Sequence, residues 1–318
     1  MGILKRIVVS MGLLLGMSFI TFWLMSATPG NFFDTLKLNP QISPETIARY
    51  ETMYHLKEPV ILQYAHWLCN FIHGEFGYSF YFNVPVSHLI GSRLLNTFIL
   101  SLASILLTWV LAIVLGVLAA LKHNSILDRV LGMCSMVAFS TPGFFLAILL
   151  LYLISQWGIL PLGGLRSPDW DMMNGGQKVI DVLRHLIIPT TVLSLGSIGA
   201  LQRIMRGNML SVLRQPYILA ARARGIPEYK IIFKHALRNA FNPLVTLLGY
   251  EFASLLSGAA LIEIVVSWPG LGSLLLTAVR SKDVYVVMAS MMMAGSMLLI
   301  GNWLADILLK KLDPRIEP

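Results

Sequence analysis

Charge is what this sequence has least of. Asp, Glu, Lys and Arg make up 13% of its 318 residues, against about 25% in an ordinary soluble domain. Hydrophobic residues make up 56%. That balance excludes a water-soluble globule and predicts an integral membrane protein. Cysteine is scarce as well: there are 2, Cys69 and Cys134, without C-x-x-C spacing. They are read as ordinary small residues, not as a disulfide or metal site. No G-x-x-x-x-G-K-[ST] run occurs, so the chain carries no phosphate loop of its own. G-x-S-x-G and H-E-x-x-H are absent too, which removes the usual signatures of an intramembrane enzyme. The 7 His residues form no H-x-x-x-H pair, which leaves a dedicated metal site without support.

What is present is apolar sequence in long runs. A membrane span needs about 20 such residues, and six runs qualify: 7–27, 97–121, 130–155, 186–201 (extending to Met205), 244–266 and 284–309. All are expected to be helical, because lipid offers an open backbone no hydrogen-bond partner. The run at 7–27 follows Lys5 and Arg6 like a signal peptide but lacks an A-x-A cleavage pattern, so it reads as a retained span. Between the first two runs lies the longest polar segment. In it, residues 43–57 read as a short helix with Ser43 as N-cap and Pro44 at the first helical position. Residues 60–72 are apolar but only 13 long and studded with polar groups, so they read as an interfacial helix. The expected organisation is thus 1–96, an N-terminal span plus an external segment, and 97–318, a core of five spans.

Net charge is +8, which in this context points to loops facing anionic lipid headgroups and protein partners, with no nucleic acid. With the N-terminus inside, 15 of the 24 Lys and Arg fall on the cytoplasmic side. Six spans then return the C-terminus to the cytoplasm as well. Eight of those 15 lie between Arg203 and Arg238, and all but Arg203 fall in a polar segment at about 206–240. Its centre, "YILAARARGIPEYKIIFKHALRN" (217–239), reads as two short helices meeting at a break. The Ala-rich half favours helix, Gly225 suits a left-handed helix end, and Pro227 suits the first turn of the next helix. Lys230, Lys234 and Arg238 recur every four residues on one face. Ile232, Phe233, Ala236, Leu237 and Ala240 are available for the opposite side.

The order Ala220, Ala221, three residues, Gly225 resembles the EAA loop of ABC importer permeases. Leu219 stands where that pattern often has Glu, and the later Pro is absent, which matches a subgroup. That subgroup comprises the permeases of dipeptide, oligopeptide and nickel uptake. The resemblance extends along nearly the whole chain: "ATPG" (27–30), "GEFGYSF" (74–80), "GVLAALKHNSILDR" (116–129), "STPGFFLAILL" (140–150), "HALRNAFNPLVTLLG" (235–249), "SWPGLG" (267–272) and "LDPRI" (312–316). It implies an all-α integral membrane protein of six transmembrane helices with the type I ABC importer permease fold, in a bacterial inner membrane. The implied partners are a second homologous permease, two cytoplasmic ATPases that use ATP and Mg, and an external substrate-binding protein. This chain itself would bind no cofactor. The implied ATPase-coupling residues are Tyr217, Leu219, Ala220, Ala221, Arg222, Gly225 and Pro227.

Cargo contacts are less determined. Glu251 lies well inside the fifth run. Such a group faces a protein interior or a water-filled cavity, so it either lines a translocation path or makes a structural hydrogen bond. Ser254 and Asn302 are the other path candidates, with close packing and interhelical hydrogen bonding as their alternative roles. Glu263 and the turn 267–270 sit near the outer end and suit an external gate or contact. Pro142-Gly143 predicts a kink in the third run. Met291-Met292-Met293 suggests either a metal path or flexible apolar filling. A stand-alone secondary transporter would show related halves with broken helices at matching positions; no clear internal repeat is present. Short peptides are the expected cargo, with nickel or another small solute as the alternative.

Overall fold

A computed structural model describes residues 3–28, 45, 52, 58–245, 247–248 and 259–312. It divides into two compact units, Met1–Thr97 with Pro269–Leu299, and Phe98–Trp268 with Ile300–Pro318. Among the described residues, strand occurs only as one hairpin, β1 (Tyr78–Ser79) paired antiparallel with β2 (Val84–Pro85). Everything else regular is helix. Four helices are long and apolar enough to cross a membrane, and a fifth crossing exists if one bent pair counts as a single span. The helix expected at 43–57 lies outside the described residues except Glu45 and Thr52. The expected span at 244–266 lies partly outside them.

The first unit is built on α1 (Ile3–Ala27), whose stretch Ile7–Ala27 is the first membrane-length run. Against it packs α2 (Val60–Ile72), over the residues expected from sequence. The hairpin follows, then the start of α3 (Val86–Leu121). Two further helices complete the unit, α9 (Leu271–Arg280) and the first part of α10 (Val284–Leu312). Val86, Ile90, Leu274, Val286 and Ala289 form the apolar contact among them. Thr97 Oγ1 accepts from the Leu271 amide (2.7 Å), and Asn96 Nδ2 donates to the Pro269 carbonyl (2.8 Å). These bonds satisfy groups at the α9 N-terminus that no helical turn reaches.

The second unit contains the remainder of α3, α4 (Ile126–Ser140), α5 (Gly143–Trp157) and α6 (Gly175–Leu213). Ser125 caps α4 by accepting from the Asp128 amide, and an Asn174–Gln177 capping box starts α6. The Asp128 carboxylate takes a two-pronged grip from Arg206 on α6, at 2.6 and 2.7 Å. The third run is not one continuous helix. α4 and α5 meet at 107° across Thr141 and Pro142. Pro142 has no amide hydrogen, and its ring drives the preceding residue out of the helical region. Thr141 accordingly sits at φ −91, ψ 128. The expected kink is therefore a full break. α6 also begins earlier than the apolar run at 186–201 suggests, because the N-cap of its capping box, Asn174, lies twelve residues upstream of Leu186 and its polar first turns carry Asp181 and His185 into the core.

Two close approaches set the helix packing of this unit. A methyl group at Gly199 would come within 2.5 Å of the Ser135 carbonyl oxygen, and one at Gly116 within 2.7 Å of Met205 Cβ. Small residues at such crossings let backbones pack nearly in contact. Leu100, Leu201, Met205, Met209, Ile218 and Leu244 fill the core between them.

Candidate functional site: an elbow at residues 206–245

After α6 the chain turns at Arg214–Gln215 and enters α7 (Pro216–Ala223), with Pro216 in its first turn and Gln215 as N-cap. α7 ends in a left-handed glycine cap. The Gly225 amide donates to the Arg222 carbonyl (2.9 Å) and the Ile226 amide to the Ala221 carbonyl (3.2 Å), with Gly225 at φ +71. This pair of bonds is the Schellman arrangement, which only glycine adopts without a side-chain penalty. Pro227, at φ −57 and ψ 138, then caps the turn Glu228–Lys230. It stands one position before the first helical residue, not within the first turn as the sequence suggests. Its carbonyl, which accepts from Lys230 and Ile231, does the capping.

The break is cross-tied. Arg222 Nη2 donates to Glu228 Oε1 (2.6 Å) and Nε to Oε2 (3.2 Å). The Arg222 side-chain hydrogen bonds hold the Glu228 carboxyl below its ordinary pKa, and the carboxylate raises that of Arg222. Asn239 Nδ2 donates to the Tyr217 hydroxyl (2.7 Å), and Asn208 Nδ2 on α6 to the Ala240 carbonyl (3.2 Å). The elbow is thereby tied to itself and to α6.

The second arm departs from a regular helix. Residues Ile231–Ala236 make a π-turn before α8 (Leu237–Val245) resumes α-helical geometry. The π-turn inserts one residue into the helical repeat. Ile231, Ala236, Ala240 and Leu244 are consequently the fully buried positions, five, four and four residues apart. Of the apolar residues available for the side opposite the basic face, Ala236 and Ala240 are buried, whereas Phe233 is 66% exposed. Lys230, Lys234 and Arg238 remain exposed as expected.

Of the residues singled out by sequence, Tyr217, Leu219, Ala220, Arg222, Gly225 and Pro227 are exposed on the elbow, while Ala221 is half-buried against the core. The structure adds Tyr229 and Phe233 to this surface. No alternation of polar and apolar residues marks those two, since the π-turn that turns Phe233 outward has no sequence signature. Asn302 is half-buried on α10. Glu251, Ser254 and the C-terminal "LDPRI" beyond Leu312 lie outside the described residues. Glu263 and Trp268 are buried at 0% and 1% exposure, so their side chains offer no outer contact surface. Among the described residues no three His, Cys, Asp or Glu side chains gather as metal ligands.

Long apolar helices joined by an exposed, cross-tied elbow define a multi-pass membrane protein. The chain belongs to the family described as binding-protein-dependent transport system inner membrane component, whose model matches residues 112–318. The N-terminal model of the same membrane component matches residues 2–103. It therefore has the type I importer permease fold and resides in a bacterial inner membrane, and its family works with ATPase and substrate-binding partners. Among its relatives, the oligopeptide transport system permease protein AppB of Bacillus subtilis is 36% identical, over 99% of this chain and 98% of its own length. A protein named as a peptide permease in Brucella suis biovar 1 is 36% identical with the same coverage. One named as a peptide ABC transporter permease in Sinorhizobium fredii is 31% identical, again over 99% and 98%.

Proposed function

We propose that this chain carries short peptides across the membrane as one half of an ATP-driven importer, and that the 206–245 elbow is where ATP hydrolysis is coupled to transport. The observation that carries the reading is the elbow itself: Leu219, Ala220, Tyr229 and Phe233 are exposed on a segment tied to α6 by Asn208. Exposed apolar side chains on a polar, basic segment suit a protein groove. In this reading both termini and the elbow face the cytoplasm. Two ATPase subunits, using ATP and Mg, engage the elbows of this chain and of a second, homologous permease. This chain binds no cofactor, and an external binding protein delivers the cargo. Peptide as the cargo is supported by the names of the relatives.

The test is Phe233→Asp and Ala220→Asp in the intact transporter. Both positions are surface sites, where substitutions change stability by about 0.5 kcal/mol or less. The variants are expected to keep the wild-type unfolding midpoint, to lose co-purifying ATPase and to stop peptide uptake. Variants that still couple ATP hydrolysis to uptake at the wild-type ratio would remove the elbow from the coupling role. Uptake of labelled di- and tripeptides against nickel, in cells with and without this chain, tests the cargo.

A further inference from the structure

α2 carries an observation that its length does not suggest. The Tyr64 hydroxyl shares a 2.7 Å hydrogen bond with Ser18 Oγ and reaches the Leu15 carbonyl at 3.4 Å. Its ring meets Phe19 edge-on at 5.3 Å and Phe22 at 5.7 Å. Ser18 is one residue from the middle of the Ile7–Ala27 span. At 1.5 Å per residue it lies about 13 Å below the Ala27 end, close to the centre of a hydrocarbon layer about 30 Å thick.

The other end of α2 is at a different level. Phe71, in the last turn of α2, packs on Phe76 at 5.1 Å, and the neighbouring Gly77 lies against the Tyr285 ring. Tyr285 is at the start of α10, where Asp283 caps the helix and holds the hairpin. Ten residues further along α10, Gly295 touches Leu14 and Met17 at the middle of α1. Tyr285 is therefore about 15 Å from the bilayer centre, at the membrane face. So the first half of α2 is level with the centre of α1, and its last turn is level with the membrane face.

We infer that α2 is a half-span: it enters the bilayer from the face where α1 ends at Ala27, with its N-terminus near the midplane. This replaces the surface-parallel placement its length suggests. Thirteen residues make about 20 Å of helix, enough to join the centre to the face.

The faces of α2 fit this placement. Tyr64, Trp67 and Phe71 pack into protein. Ile61, Ala65 and Ile72 form an exposed apolar stripe at helical spacing, with Ile61 70% and Ile72 73% exposed. Lipid chains cover it. His66, Asn70 and His73 form a second exposed stripe, about 120° around the helix. His66 Nε2 lies 3.6 Å from Glu58 Oε2 at the start of the helix. Ionisable groups at this depth are tolerated only against protein or water. This stripe therefore faces protein or water and not lipid chains. The helix start suits the site: Pro59 has no amide hydrogen, its carbonyl accepts from Leu62 and Gln63, and Gln63 Nε2 donates to the Glu58 carbonyl (2.8 Å). Few backbone groups are left for lipid to strand.

The experiment places one nitroxide at a time on Cys substituted at positions 61, 65, 66, 72 or 73, in the intact transporter reconstituted in lipid, with Cys69→Ser and Cys134→Ser. Collision with oxygen, which partitions into lipid, is compared with collision with a water-soluble nickel chelate. The expected result is a gradient along the apolar stripe, with position 61 about 16 Å deeper than 72. Positions 66 and 73, on the polar stripe, are expected to collide less with oxygen than their apolar neighbours 65 and 72. Equal depth at 61, 65 and 72 would overturn the half-span in favour of a surface helix. A label at 61 shielded from both reagents would overturn it too, by showing a partner subunit on the stripe. Labels that shift the unfolding midpoint are replaced by labelling native Cys69 in the Cys134→Ser protein. Its depth should fall between those of positions 61 and 72, and a label at headgroup level there would equally exclude the half-span.

Discussion

Arg222 and Glu228 close the elbow across Gly225 with two charge-assisted hydrogen bonds, 2.6 and 3.2 Å long. The Arg222 bonds lower the Glu228 carboxyl below its ordinary 4.5, against an opposing effect of burial. A depressed carboxyl pKa stabilises the fold where the group is ionised in both states. The contribution is thus complete above pH 4.5 and is lost as pH falls through the lowered value. Both side chains are substantially exposed, at 42% and 52%, and exposed pairs contribute roughly 0.2–1 kcal/mol. The effect is therefore expected in elbow geometry more than in global stability. Spin labels at positions 219 and 233 should give a narrow distance distribution at pH 7 that broadens in acid. Glu228→Gln should be broad at every pH, and a narrow distribution in that variant would show that the clamp is not what holds the elbow.

Gly225 separates a backbone requirement from a steric one. A methyl group there would meet nothing within 4 Å, yet φ is +71. Gly225→Ala therefore costs only the left-handed conformation, about 1–2 kcal/mol. Asn tolerates that region better than Ala. Transport rates should rank Gly above Asn above Ala, with the unfolding midpoint lowered by a few degrees in the same order. Equal rates for Ala and Gly would mean that the Schellman turn does not matter to coupling.

Gly199 and Gly207, two helical turns apart on α6, should respond in opposite directions. At Gly199 an added methyl meets the Ser135 backbone at 2.5 Å, while at Gly207 it meets nothing within 4 Å. Gly199→Ala must push α6 from α4, stretching the 2.5 Å Ser135–Gln202 hydrogen bond. Overpacking of this kind costs about 1–3 kcal/mol. Gly207→Ala gains helix propensity, up to about 1 kcal/mol. Thermal unfolding of the two variants in the same detergent measures both. A stabilised Gly199→Ala would contradict the close crossing.

What could be read from sequence here was set by composition and by strong local rules. Long apolar runs announce helices, so α1, α2 and α10 begin or end close to where the pattern puts them. Gly225 announces the end of α7, because glycine suits a left-handed cap best. Pro142 announced a kink but not its angle: 107° is decided by what α4 and α5 pack against, which periodicity does not contain. The outward Phe233 was illegible for a related reason. A π-turn depends on fitting Ile231 and Ala236 into one core, and the local sequence reads equally well as α-helix. The depth of α2 depends on a bond between Ser18 and Tyr64, 46 residues apart, which no local pattern encodes.

The Asp283 carboxyl is shifted in the opposite direction to that of Glu228. It is fully buried, accepting from Ser79 Oγ at 2.6 Å and from the Tyr81 amide at 3.2 Å. Burial raises its pKa above 3.8, and those hydrogen bonds recover only part of the shift. A raised carboxyl pKa means that the folded state holds its proton more tightly. Its contribution to stability is therefore greatest below pH 3.8 and declines as pH rises to the folded value. Asp283→Asn keeps an acceptor for Ser79 and Tyr81 and removes the buried charge, so it should equal or exceed wild-type stability at pH 7 and flatten that decline. Asp283→Ala removes the helix cap and strands two buried donors, at about 1–3 kcal/mol for each unsatisfied group, and should lower the unfolding midpoint clearly. Unfolding of the three proteins followed from pH 4 to pH 8 separates the two roles. If Asn proves as damaging as Ala, the negative charge itself is what the hairpin needs.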